Sequence, residues 1–200
     1  MKKLFITLAI AAAAAAGVRA QDGLSIGAGY QTYTQADNLL DTERSFGGFY
    51  VGADYTVFTF GPGISLTPGV YFSMNTYKKA TSEGVQSRET YLGIPVNISY
   101  KFEIVPGTLA IAPYAGPTFS IGLSNASTLN KWEDKTDNFE SDDLGRFNIG
   151  LGGGVALDIV DMIRVSVGYN AYLLNQYTGS SDNVKYTRKN AIHFGVAYLF

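Results

Sequence analysis

The chain closes on Asn190-Ala191-Ile192-His193-Phe194-Gly195-Val196-Ala197-Tyr198-Leu199-Phe200. Counting back by twos from Phe200 collects Tyr198, Val196, Phe194 and Ile192 on one face, and leaves His193 and Gly195 on the other. Successive side chains of a β-strand point to opposite sides of a sheet. Strict alternation of large apolar residues with small or polar ones therefore predicts a strand between two different environments. The same period of two recurs upstream, giving eight segments at about 24–35, 47–57, 64–75, 89–101, 109–123, 146–158, 163–174 and 189–200. No other part of the chain beyond residue 20 reads as an amphipathic helix of useful length.

The connections between these segments alternate in length. Residues 36–46, 76–88, 124–145 and 175–188 are long, whereas 58–63, 102–108 and 159–162 are short. Short turns at one end and long loops at the other predict an all-β fold, an eight-stranded antiparallel up-and-down transmembrane β-barrel. An even strand number puts both termini at the short-turn end, expected to be periplasmic.

Alternation alone does not orient the faces, because a soluble barrel also alternates, with its apolar face inside. One phase holds Leu24, Ile26, Phe49, Val51, Leu92, Ile94, Ile149, Leu151, Val165 and Val167, with no charge in any proposed strand. The other is mostly glycine, serine, asparagine and tyrosine with scattered charges, a poor water-facing surface but a plausible packed interior. Aromatics gather toward strand ends, at Tyr55, Phe58, Phe60, Tyr100, Phe102, Tyr198 and Phe200 on one side and Tyr30, Phe49, Phe72, Phe119 and Phe147 on the other. Two such girdles suit two membrane interfaces, so the apolar phase is expected to face lipid. Pro68, Pro95, Pro113 and Pro117 each remove a ladder donor inside a proposed strand. Local bulges are expected there, helped by the adjacent Gly69 and Gly116 and by nearby Gly93.

Ahead of the strands, Lys2 and Lys3 precede an apolar run that ends at Val18-Arg19-Ala20. The run is too short to span a bilayer and its end suits cleavage before Gln21, so residues 1–20 read as a signal peptide and 21–200 as the barrel domain. Taking Lys2, Lys3 and Arg19 from the 15 Lys+Arg leaves 12 against 17 Asp+Glu, a net charge of −5 after cleavage. That balance, without a basic stripe, gives no footprint for nucleic acid. The absence of cysteine excludes disulfides, thiolate metal sites, a catalytic thiol and a lipid-modified cysteine.

In the final strand, His193, Gly195, Tyr198 and Phe200 match in register a pattern that resembles the C-terminal assembly signal of outer-membrane proteins. The resemblance implies reading by the barrel-assembly machinery. Glu89-Thr90-Tyr91-Leu92-Gly93-Ile94-Pro95-Val96-Asn97-Ile98-Ser99-Tyr100-Lys101-Phe102 and Ala112-Pro113-Tyr114-Ala115-Gly116-Pro117 resemble the core of the outer-membrane protein β-barrel domain of Bacteroidota, the small porin-family or PorT-like barrels. Phe147-Asn148-Ile149-Gly150-Leu151-Gly152-Gly153-Gly154-Val155 is similar to its later glycine-rich strand. The resemblance covers nearly all of the chain after residue 20 and implies location in the outer membrane, among its lipid and lipopolysaccharide. It brings no catalytic residues.

Eight strands enclose an interior that side chains roughly fill, whereas open aqueous pores need about 16. Tyr50, Tyr71, Tyr91, Tyr114 and Tyr172 share the inward phase with Gly27, Gly52, Gly93, Gly116, Gly152 and Gly168, so rings opposite glycines are expected to plug the lumen. Asp54, Glu89, Lys101, Arg146, Asp158, Arg164 and His193 fall in the same phase, and charges there need partners; Glu89 and Arg146 are expected to be close. His193 is the single histidine, tied by no recognised spacing to a serine or carboxylate, and a structural hydrogen bond is its simplest role. Trp132 stands in an acidic loop with Glu133, Asp134, Asp137, Glu140, Asp142 and Asp143. It is a possible anchor for a surface partner, and the loop a possible cation site, although no spacing matches a calcium loop.

The reading is a non-enzymatic outer-membrane barrel with a structural or surface-interaction role and no cofactor or metal site. A narrow channel for small solutes or ions, an integral-barrel enzyme acting on lipid or peptide, and an accessory factor in protein secretion stay open as alternatives. Deleting Phe200 is expected to lower the amount of folded barrel in the outer membrane several-fold. Heat-modifiable gel migration of a membrane fraction checks this.

Overall fold

The computed structural model describes residues 23–37, 44–78, 86–128, 136–137, 145–174 and 187–200. Within them the alternating stretches form β1 (Leu24–Asp37), β2 (Arg44–Tyr55), β3 (Ile64–Lys78), β4 (Gln86–Tyr100), β5 (Leu109–Thr128), β6 (Phe147–Ile159), β7 (Ile163–Tyr172) and β8 (Thr187–Leu199). Each strand pairs antiparallel with the next. β1 then pairs with β8, from Ser25↔Leu199 to Asp37↔Thr187, and closes the sheet. Residues 1–22, with the expected signal peptide, lie outside the described residues, as does Trp132.

The apolar phase faces outward. Phe49 is 70% exposed, Val196 57% and Phe194 52%, whereas the buried hydrophobic side chains among the described residues are Tyr33, Ala110, Ala112, Ala156, Tyr172 and Ala191. The buried polar set is the larger one and includes Gln31, Ser73, Asn75, Glu89, Asp158 and Lys189. A soluble protein inverts this distribution. A continuous apolar belt is stable against hydrocarbon, and a closed sheet satisfies its backbone there without water. Rings pair edge-on toward the strand ends: Tyr100 with Phe102 at 4.2 Å and Tyr198 with Phe200 at 4.8 Å at one end, and Tyr30 with Phe49 at 5.5 Å nearer the other.

Two short connections are more ordered than the sequence predicts. Phe58–Phe60 pairs with the start of β3 and Phe102–Val105 with the start of β5, so both hairpins continue past the barrel strands. Gly61, Gly63 and Gly107 adopt positive φ and let the chain reverse tightly enough for the ladder to go on. The strands also run beyond their expected limits, β3 to Lys78 and β5 to Thr128.

The prolines divide into two kinds. At Pro68, Tyr55–Val57 lie opposite Thr67–Pro68, three residues against two, which is a bulge of the expected sort. The other three cause no shift of register. Pro95 keeps Thr118 as partner while its pairing toward β3 lapses, Pro117 keeps Leu151 while its pairing toward β4 lapses, and Pro113 pairs with Val155. A strand residue sends its N–H to one neighbour only, so proline breaks a ladder on one side and leaves the other intact. A further bulge lies away from any proline, where Thr90↔Ser124 gives way to Tyr91↔Gly122 and Leu123 is the extra residue.

The turn between β6 and β7 puts Val160 (φ 48°) and Asp161 (φ 52°) in the left-handed region. That suits the two central residues of a tight turn closed by the Met162 N–H on the Ile159 carbonyl at 3.1 Å, but strains a β-branched residue. The connection between β4 and β5 holds it: the Val160 N–H donates to the Thr108 carbonyl at 2.8 Å, and Lys101 Nζ donates to Asp161 Oδ1 at 2.8 Å. Val160→Asn, which tolerates this backbone and keeps the N–H, is expected to stabilise the barrel by about 1 kcal/mol. Urea titration of folding in detergent micelles measures it.

Candidate functional site

An eight-stranded wall leaves an interior only as wide as its side chains allow. Glycines on this wall make room for rings that cross it. A Cβ at Gly93 would strike the ring of Tyr71, one at Gly29 or Gly195 would strike Tyr50, and one at Gly168 would meet Tyr114 and His193. The Tyr33 and Tyr172 rings lie 6.2 Å apart, tilted by 34°, and the hydroxyls of Tyr172 and Tyr71 lie 3.3 Å apart. Tyr50 stands edge-on to both Tyr71, at 6.0 Å, and His193, at 6.5 Å.

Toward the long connections the interior is polar. Glu89, 4% exposed, forms an ion pair with Lys189 from β8. Its carboxylate also accepts from Tyr91 Oη at 3.1 Å and from Asn125 Nδ2 at 3.3 Å. Lys189 Nζ sits 5.8 Å from the centre of the Tyr91 ring, a further favourable contact for the cation. Gln31 Nε2 donates to Asn75 Oδ1 at 3.0 Å, while Ser73 Oγ and Asn75 Nδ2 are buried without a protein partner. Such groups are ordinarily met by internal water.

Toward the short turns a second cluster lines the mouth. Arg164 forks onto Asp158 through Nε at 2.7 Å and Nη2 at 2.9 Å. Lys101 bridges Asp161 at 2.8 Å and Asp158 at 3.9 Å, so two neighbouring strands and a turn are tied together. Asp54 accepts one long hydrogen bond from Ser25, at 3.4 Å. Between this cluster and the tyrosines lies a chamber of about 160 Å³, lined in part by Asp54, Arg164, His193, Tyr50, Tyr71 and Tyr114.

His193 Nε2 lies 2.9 Å from Tyr114 Oη, and among the described residues it has no serine or carboxylate partner. That geometry orients a ring, with either atom able to donate; it lacks the nucleophile and the orienting carboxylate of a hydrolytic triad. Among the described residues no group of three or more histidine, aspartate or glutamate side chains could hold a metal ion.

The seven inward-phase residues named from the sequence thus separate. Asp158, Arg164 and Lys101 come together, Asp54 and His193 face the chamber, and Glu89 stands in the other half. The cation on Glu89 is Lys189; Arg146 is exposed at the start of β6. Arg146 precedes the regular alternation of its strand, so parity does not carry it into the lumen. Lys189 was legible by counting back twos from His193. Asn125 was not, because the extra residue Leu123 reverses the parity of β5 beyond Gly122 and turns Asn125 inward. Asp161 belongs to a turn and has no strand phase at all.

A family model described as outer membrane protein beta-barrel domain matches residues 4–200. No curated protein matches the chain significantly. Among solved structures, Neisserial surface protein A is 17% identical with a TM-score of 0.55, covering 89% of this chain and 97% of its own. Ail of Yersinia pestis, solved in complex with the heparin analogue sucrose octasulfate, is 10% identical with a TM-score of 0.52, covering 90% and 100%. The outer membrane enzyme PagL is 10% identical with a TM-score of 0.50, covering 86% and 97%. At these identities the likeness is one of fold.

Removing one member of the Glu89–Lys189 pair strands a charge in the interior. Glu89→Gln and Lys189→Met are each expected to destabilise the barrel by about 3–5 kcal/mol. The double variant is expected to recover a large part of that loss. Urea unfolding of all four proteins closes the double-mutant cycle.

Proposed function

This chain belongs to the outer membrane protein β-barrel domain family, and from that premise we propose a non-enzymatic, non-conducting barrel whose role is structural or a surface interaction made by its long-connection end. The observation that supports this reading is what fills the interior. The Tyr33, Tyr71 and Tyr172 rings and the buried Glu89–Lys189 pair occupy the section between the chamber and the long connections. A solute crossing the barrel would have to part that ion pair and move the rings. The outward apolar belt and the family match support a position in outer-membrane lipid, and the proposal includes lipopolysaccharide around the outer half, periplasmic termini after removal of residues 1–20, and insertion by the barrel-assembly machinery. Kinship with the small PorT-like barrels of Bacteroidota is part of the same reading, drawn from the sequence.

The fold itself chooses no role, since one structural neighbour is an enzyme and another was solved with a sulfated sugar. Catalysis in the lumen would need a base and nucleophile in reach of each other, and the His193–Tyr114 pair supplies an orienting bond instead. A narrow channel is the second reading, favoured by one observation: polar groups continue from Asp54 through Asn170 and Gln31 to Asn75, with two of the buried atoms unpartnered. In that reading the Glu89–Lys189 pair is a closed gate.

Planar-bilayer recording separates the two. The proposed barrel, inserted to saturation and confirmed as folded by its gel migration, is expected to give no resolved current steps. Steady single-channel openings of the wild-type protein would replace the proposal with the channel.

A further inference from the structure

The chamber in the short-turn half of the lumen has a chemistry of its own. Its charged lining residues are Asp54 and Arg164. Arg164 is engaged by Asp158 through two short hydrogen bonds, and Lys101 by Asp161. Three carboxylates therefore face two cations in this cluster, and the carboxylate left over is Asp54. Among the described residues it has no cation within 4 Å and holds only the long bond from Ser25, made to Oδ2. Its Oδ1 lies over Gly69, where a Cβ would collide with it, so the wall is cut back to seat this side chain. Beyond that bond it feels the charge of Arg164, a guanidinium already forked onto Asp158, so this half-buried carboxylate is left short of a counterion.

The rest of the chamber specifies which kind. Tyr50, Tyr71 and Tyr114 line it together with His193. Tyrosine faces attract cations, and a carboxylate set among them is the chemistry that recognises an alkylammonium group. A free anion meets a net negative cluster. A divalent metal would need about six oxygen ligands, and the chamber offers one carboxylate. The space of about 160 Å³ takes a few water molecules or a molecule of a few heavy atoms. Solvent reaches it from the short-turn side, where the Arg164 side chain is 29% exposed.

We propose that this chamber is a binding site for a small organic ammonium ion, with the charged group against Asp54 and the carbon atoms against Tyr50, Tyr71 and Tyr114. The site does not depend on whether the barrel conducts, because it lies below the ring layer and opens to one end.

Calorimetric titration of ethanolammonium chloride into the detergent-solubilised full-length barrel, at low ionic strength and neutral pH, tests the assignment. One saturable site is expected, weakened at least about tenfold in Asp54→Asn and measurably in Tyr50→Leu. Sodium chloride at equal concentration should not displace the ligand. Heat-modifiable migration verifies that each variant is folded, and should Asp54→Asn fail that check, the Tyr50→Leu comparison and the sodium competition still decide. Absence of a saturable site in the wild type, unchanged affinity in folded Asp54→Asn or Tyr50→Leu, or mole-for-mole displacement by sodium each overturns the proposal.

Discussion

The hydrogen-bonded seam between β1 and β8, from Ser25↔Leu199 to Asp37↔Thr187, is the constraint on which the rest of the molecule depends. An open sheet in hydrocarbon would leave a row of N–H and C=O groups unpaired, at a cost of several kcal/mol for each. Closure removes that edge and at once defines two surfaces. The outer one must be apolar, because lipid surrounds it; the inner one is cut off from lipid and must satisfy itself. The exposed Phe194 and Val196 and the buried Ala191 and Lys189 of β8 are two consequences of one ring of hydrogen bonds.

Closure at eight strands also sets the interior volume, and the glycines and tyrosines answer that constraint together. Ring and glycine are cross-strand partners on the inner face at Tyr71 and Gly93 and at Tyr50 and Gly29, so each ring lies over its glycine without pushing strands apart. The charges are arranged by the same shortage of room. Glu89 meets Lys189 from strands far apart in sequence, and Asp158 is shared between Arg164 and Lys101. Each half of the lumen thereby has its own electrostatic solution, and among the described lumen residues Asp54 is the carboxylate with no cation within 4 Å.

Much of this was legible in the sequence because a strand's period of two is simple and an inside-out barrel displays it on every strand. Counting back from Phe200 gives the lipid row of β8 without further information, and the alternation of short and long connections gives the topology. The parts that were not legible are those where the period breaks. Leu123 adds one residue and reverses the parity of β5, which hid Asn125; Arg146 stands before the regular part of β6, which made it a false partner for Glu89. Pro95, Pro113 and Pro117 were expected to force bulges, yet each loses a donor on one side of its strand and the register survives. Which charges pair across a lumen depends on the stagger of a closed sheet, and no single strand contains that information.

The central claim is that the apolar phase meets lipid and the polar phase meets a filled lumen. Phe49 and Tyr50 are adjacent in β2 and point to opposite sides of the wall, so they report on both surfaces at one depth. Replacing Trp132 by Phe and introducing tryptophan at either position gives a single reporter in bilayers of brominated lipid. The account predicts strong quenching for Phe49→Trp and little for Tyr50→Trp. Strong quenching of Tyr50→Trp with Phe49→Trp unaffected would contradict it.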